Sequence, residues 1–144
     1  MGELLQFDLD VLVSRIRDVV SSFDEILVAY LYGSMVKGQE GFGRDVDVGL
    51  LLDQGFVEPA LYPVHVAGLI EEAMGIFDVV DVRVLNHQSL GFQFRVIKEG
   101  LLVFCRDDGA RVWYESGVVS SYLDVKPFLD HYDAVRVRRF GVEG

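Results

Sequence analysis

Leu5, Leu9, Leu12, Ile16 and Val19 recur at helical spacing, which predicts an amphipathic opening helix over residues 3–22, packed on a sheet. The period then changes. The apolar run Ile26 to Tyr32 reads as a buried strand, a short helix is expected from Ser34, and the run Asp45 to Leu52 reads as the next strand. Between them, Gly38, Gly41 and Gly43 predict a flexible loop. A second helix is expected over 59–75, opened by Pro59 and closed near Gly75, with Leu61, His65, Leu69 and Ala73 along one face. It leads into a strand over 77–85. A helix from Gln88 to Glu99 ends at Gly100, and Leu101 to Cys105 form a short strand before the turn Asp107-Asp108-Gly109. Residues 110–140 read as a helical C-terminal segment interrupted near Pro127. Strands alternating with helices predict an α/β fold, a small mixed sheet with flanking helices, in a single domain over 1–144.

Composition narrows the function classes. The net charge of −10, from 23 acidic against 13 basic residues, repels a phosphate backbone and argues against stable nucleic-acid binding. A basic protein partner is the more natural match. Apolar residues make up 51% of the chain, high for a small domain with much surface to cover, so a hetero- or homo-oligomeric interface is expected. The single cysteine, Cys105, excludes an internal disulfide and a cysteine-based zinc site, and makes the cytoplasm the default compartment. The start Met1-Gly2-Glu3-Leu4 lacks the pattern of a signal peptide, and no apolar run is long enough to span a membrane.

The candidate chemistry lies in Leu31-Tyr32-Gly33-Ser34 and, after residues 35–44, Asp45-Val46-Asp47. Gly33 falls at the carboxyl end of a predicted strand, where backbone can approach a ligand closely and Ser34 can begin a helix, a suitable cradle for a triphosphate. Residues two apart on a strand share a face, so the Asp45 and Asp47 carboxylates converge, and hard oxygen ligands of that kind hold Mg²⁺. Asp78 and Asp81 both offer a further carboxylate. Asp81 is favoured because on its strand it faces the same way as Val79 and Arg83, opposite Val80, Val82 and Val84, whereas Asp78 reads as a turn or strand-entry residue.

Gly33-Ser34, the spacer and Asp45-Val46-Asp47 resemble the signature of the polymerase-β-type nucleotidyltransferases, most closely the minimal nucleotidyltransferase group. Similar members are MntA-type antitoxins, which inactivate a partner HEPN-domain ribonuclease toxin by transferring AMP to a tyrosine. The resemblance extends to Val79-Val80-Asp81-Val82-Arg83-Val84-Leu85-Asn86 and to Tyr122-Leu123-Asp124-Val125-Lys126-Pro127. It implies a polymerase-β-like fold, ATP as substrate, two Mg²⁺ ions bridged by Asp45 and Asp47, and Asp81 completing the ion that activates the attacking hydroxyl. Gly33 and Ser34 would hold the β- and γ-phosphates. Lys37 and Arg44 are the nearby cations for triphosphate charge, each read equally as a solvated side chain, and both depart from the residues usual in the group. Two other functions stay open: a binding antitoxin that masks the toxin without catalysis, and adenylylation of a small hydroxylated molecule.

His65, His87 and His131 have no metal-ligand spacing and read as surface or helix-packing residues. Lys126 reads as a structural residue with contact to nucleotide or partner as the minor alternative. Arg136, Arg138 and Arg139 read as a solvated basic cluster with an acidic partner as the alternative.

Overall fold

The computed structural model describes residues 5–6, 8–36, 42–43 and 45–140. The opening helix, α1 (Leu9–Val20), is shorter than its apolar period suggests. Asp8 sets its start, because the Asp8 carboxylate accepts the backbone N–H groups of Asp10 and Val11 at 3.0 and 3.3 Å and so caps the first turn. Leu5, expected on that helix, lies instead in the two-residue strand β1 (Leu5–Gln6). Its antiparallel partner is β3 (Phe42–Gly43), so Gly43, expected in a loop, is paired as strand. The rest of the expected glycine-rich loop lies outside the described residues.

The main sheet has four strands. β2 (Ile26–Tyr32) is central, antiparallel both to β4 (Val46–Leu52) and to β6 (Leu101–Cys105). β5 (Val80–Val84) runs parallel to β4, giving the order β5-β4-β2-β6. β2 reads as an almost unbroken apolar run because both of its faces are covered. On one face Ala29 and Leu31 join Val46, Val48, Leu50, Val82 and Val84 against Leu12, Ile16 and Val20 of α1 and Tyr62, Val66 and Ile70 of α2 (Tyr62–Met74). On the other, Val28, Tyr30 and Leu51 meet Val96 of α3 (Leu90–Glu99) and Tyr114 of α4 (Asp108–Phe140). The result is a three-layer α/β arrangement with a small mixed sheet in the middle.

Three expectations are corrected. α2 starts at Tyr62, with Leu61 at its cap in the left-handed region (φ 62) and Pro63 in its first turn. Its buried face is Tyr62, Val66, Ala67 and Ile70, while Leu61, His65 and Ala73 are exposed and Leu69 is half-buried. One position is about 100° of rotation on a helix, so an expected face one residue out of step with the buried one points away from the core. The strand expected over 77–85 is trimmed to Val80–Val84, since Asp78 takes a positive φ of 56 at its entry and Leu85 opens a 3₁₀ turn, Leu85–His87. Finally, α4 runs through Pro127 to Phe140. Proline leaves the carbonyl of Leu123 without an intrahelical donor, and Leu123 is exposed, so water replaces it.

Candidate active site

β2 ends at Tyr32 and the backbone turns sharply through Gly33, whose φ of 81 is in the left-handed region. The expected helix at Ser34 is a single 3₁₀ turn, Gly33–Met35, closed by the Val36 N–H donating to the Gly33 carbonyl at 3.2 Å. A methyl group at Gly33 would collide with the Asp47 carboxylate, so the glycine lets that carboxylate reach the turn.

Register puts the acidic residues side by side. Tyr32 pairs with Asp47 across the antiparallel β2 and β4, and Asp47 pairs with Asp81 across the parallel β4 and β5. Alternation along the strands sends Val46, Val48 and Val82 into the α1/α2 core and turns Asp47 and Asp81 to the α3 side. Asp45 is exposed just before β4. Asp78, as expected, is an entry residue.

Two side chains outside the motif anchor β5, one at each end. One Glu71 carboxylate oxygen accepts the N–H groups of both Val79 and Val80 at 3.0 Å, fixing the start of β5. Asn86 accepts from the Leu52 N–H and donates to the Leu52 carbonyl, each at 2.9 Å, tying the exit of β5 to the end of β4. Arg83, two residues beyond Asp81 on the same face, donates from Nε to Asp81 Oδ2 at 3.0 Å. Its guanidinium lies 5.6 Å from the centre of the Phe92 ring, and Phe92 meets Tyr32 edge-on at 5.6 Å. Arg95 approaches the same ring at 5.8 Å. Beside them a cavity of about 240 Å³ is lined by Tyr32, Gly33, Phe92, Arg95, Val96 and Glu99. A larger cavity of about 620 Å³ on the outer face of α2 is lined by none of the carboxylates of this site.

The electrostatics match a crowd of anions. Burial, then the charges of Asp81 and Asp45, push the Asp47 carboxyl up to about 6, against a smaller opposing pull from Arg83. Burial, with the Asp47 charge second, raises the Tyr32 phenol to about 12. The Tyr32 hydroxyl is buried with no hydrogen-bond partner among the described residues.

The expected convergence of three carboxylates is therefore incomplete. Among the described residues no group of three His, Cys, Asp or Glu side chains is gathered as a metal cage, and Asp81 is paired with Arg83. The donor chemistry nonetheless fits Mg²⁺, since Asp45, Asp47 and Asp81 offer hard oxygen ligands and Asp47 takes up protons readily, as a crowded carboxylate does without a neutralising cation. Lys37 and Arg44 lie outside the described residues. Sequence reasoning named Arg83 only as a strand neighbour and passed over Phe92, Arg95 and Glu71. The i, i+2 spacing of Asp81 and Arg83 is the one signal that was available for them. His65 packs edge-on near Phe23, His87 bonds Glu58 at 2.9 Å, and His131 is exposed on α4, so the histidines stay out of the site. Tyr122 stacks on Phe94, and Lys126 pairs with Asp130 at 2.7 Å.

The structure thus sets a glycine turn against one carboxylate, with a second carboxylate one strand over. The chain belongs to the polymerase beta nucleotidyltransferase family, whose sequence model matches residues 14–109. No curated protein matches it. Solved structures do. A chain from the complex of the tri-AMPylated Shewanella oneidensis HEPN toxin with MNT antitoxin is similar at a TM-score of 0.64 and 15% identity, over 86% of this chain and 98% of that one. The MntA-HepT toxin-antitoxin structure gives 0.63 and 14%, over 85% and 97%. A toxin-antitoxin structure with AMP-PNP gives 0.62 and 16%, over 88% and 98%. At these identities the likeness is one of fold, and it bears out the expected polymerase-β-like architecture.

Proposed function

We propose that this protein is an antitoxin that transfers AMP from ATP to a tyrosine hydroxyl of a partner HEPN-type toxin. The observation that carries the reading is the register of Gly33, Asp47 and Asp81 on adjoining strands of this fold. The overall likeness to an MNT antitoxin solved with an AMPylated toxin supports the substrate class.

In this reading Asp45 and Asp47 would hold Mg²⁺, with Asp81 as the third ligand. When bound, the metal supplies charge neutralisation for the triphosphate and acidifies the attacking hydroxyl. The chain's own residues do the rest. The Gly33 turn and Ser34 present backbone and hydroxyl groups to the β- and γ-phosphates, with Lys37 and Arg44 proposed as further cations for the triphosphate charge. Asp81, more open to water than Asp47, accepts the tyrosine proton as the oxygen attacks the α-phosphorus and pyrophosphate leaves. Among the described residues no helix is long and apolar enough to cross a membrane.

The test is intact-mass analysis of the partner toxin after incubation with the purified chain, ATP and Mg²⁺. The partner should gain one or more AMP masses, and an Asp45→Ala/Asp47→Ala chain should add none. A stable complex without any mass gain would leave a masking antitoxin, and transfer to a small hydroxylated acceptor alone would move the activity away from protein substrates.

A further inference from the structure

Arg83 is not part of the signature, yet among the described residues it is the cation paired with Asp81. Its Nε sits 3.0 Å from Asp81 Oδ2, and the two side chains are 50% and 53% exposed. An ion pair this open to water is weak, and a divalent cation with a triphosphate displaces it easily. The guanidinium also has a second support, the face of Phe92 at 5.6 Å, where it can stay when Asp81 turns away. Phe92 is itself braced edge-on by Tyr32, so this support belongs to the rigid end of β2.

We propose that Arg83 is a positioning residue that acts as a displaceable counter-ion: it occupies Asp81 in the nucleotide-free protein and so weakens loading of the centre by free metal. The inference rests on the reading that Asp45, Asp47 and Asp81 hold divalent cation. Its physical content is competition. An Arg83 bound to Asp81 both withholds one ligand oxygen and places a positive charge beside the cation's position, and both effects lower affinity for metal alone. Metal arriving with ATP brings phosphate oxygens as ligands, depends less on Asp81, and feels the competition less.

The experiment is Mn²⁺ binding to the full chain without nucleotide, followed by electron paramagnetic resonance, for the wild type, Arg83→Gln, Arg83→Lys and Asp47→Asn. Arg83→Gln should bind free Mn²⁺ about tenfold more tightly than wild type, from loss of one nearby positive charge. Arg83→Lys, which keeps the charge but not the planar contact, should fall between them. Affinity for Mn²⁺ added with a non-hydrolysable ATP analogue should change less than that for free Mn²⁺. Equal or weaker binding of free Mn²⁺ by Arg83→Gln overturns the counter-ion role. If that variant does not fold, Arg83→Lys binding no more tightly than wild type does the same. Binding that Asp47→Asn leaves at the wild-type level refutes the metal site itself, a separate failure.

Discussion

Gly33→Ala perturbs the centre without removing any functional group, so its cost can be worked from geometry. Alanine at φ 81 costs about 1–2 kcal/mol, since the left-handed region crowds a Cβ against the backbone. The new methyl would also overlap the Asp47 carboxylate, and driving that side chain off its rotamer adds about 0.5–1.5 kcal/mol. Alanine returns about 0.4–1 kcal/mol by restricting the unfolded chain. The net loss is about 1.5 kcal/mol, or roughly 5 °C in Tm for a domain of this size. Calorimetry on Gly33→Ala, Asp47→Ala and the double variant separates the parts. Once Asp47 is truncated the overlap is gone, so the double variant should be more stable than additivity predicts by about 0.5–1.5 kcal/mol. Toxin adenylylation by Gly33→Ala should fall about 100-fold, as expected for a misplaced catalytic group. A Tm within about 1 °C of wild type with an additive cycle would refute the close approach of Gly33 and Asp47.

The Asp47 carboxyl is raised from 3.8 to about 6, so the folded protein binds a proton that the unfolded chain releases, and metal-free stability falls as pH rises from about 4 to 6. The full shift corresponds to about 3 kcal/mol, reduced to about 1–1.5 for a group only half-buried. Asp47→Asn should therefore gain on wild type in EDTA as pH climbs through that window and keep its lead at pH 7; a pH-independent difference in Tm would contradict this. Glu71→Ala strips the Val79 and Val80 N–H groups of their acceptor and should cost about 2–3 kcal/mol in urea unfolding. Unchanged urea midpoints would show those amides finding other partners. Tyr122→Ala removes the stack on Phe94 at 4.1 Å and should lower stability by about 1–2 kcal/mol, with little effect on metal binding if α4 is remote from the centre.

The strands of the motif were legible because their composition is unambiguous. Ile26–Tyr32 and Leu101–Cys105 fall where the apolar runs place them, and β4 begins one residue later than expected. Asp81 was separable from Asp78 by strand alternation together with its family-like spacing to Asn86, and Asp81 is the one that pairs with Asp47. Helix faces fared worse. In α2 the buried stripe Tyr62, Val66 and Ile70 lies one position on from Leu61, His65 and Leu69, and no periodicity among Leu61, His65, Leu69 and Ala73 could reveal that. The Asp81–Arg83 pair was hidden for another reason. Shared face follows from spacing, but which carboxylate a flexible arginine reaches depends on Phe92, which arrives from a different segment. Glu71 was invisible likewise, since the Val79 and Val80 N–H groups that donate to it lie beyond the helix end at Gly75.

The sheet order also dictates how the centre assembles. β2 and β4 are successive strands of the main sheet and antiparallel, so Gly33 and Asp47 meet through a short, local closure. Asp81 arrives only after the chain has crossed back through α2 to lay β5 parallel to β4. In the main sheet β5 pairs with β4 alone, at its edge, whereas β2 is held on both sides. The half of the centre at the Gly33 turn is thus built into a strand paired on both sides, and the half carrying Asp81 rides on an edge strand paired on one side only.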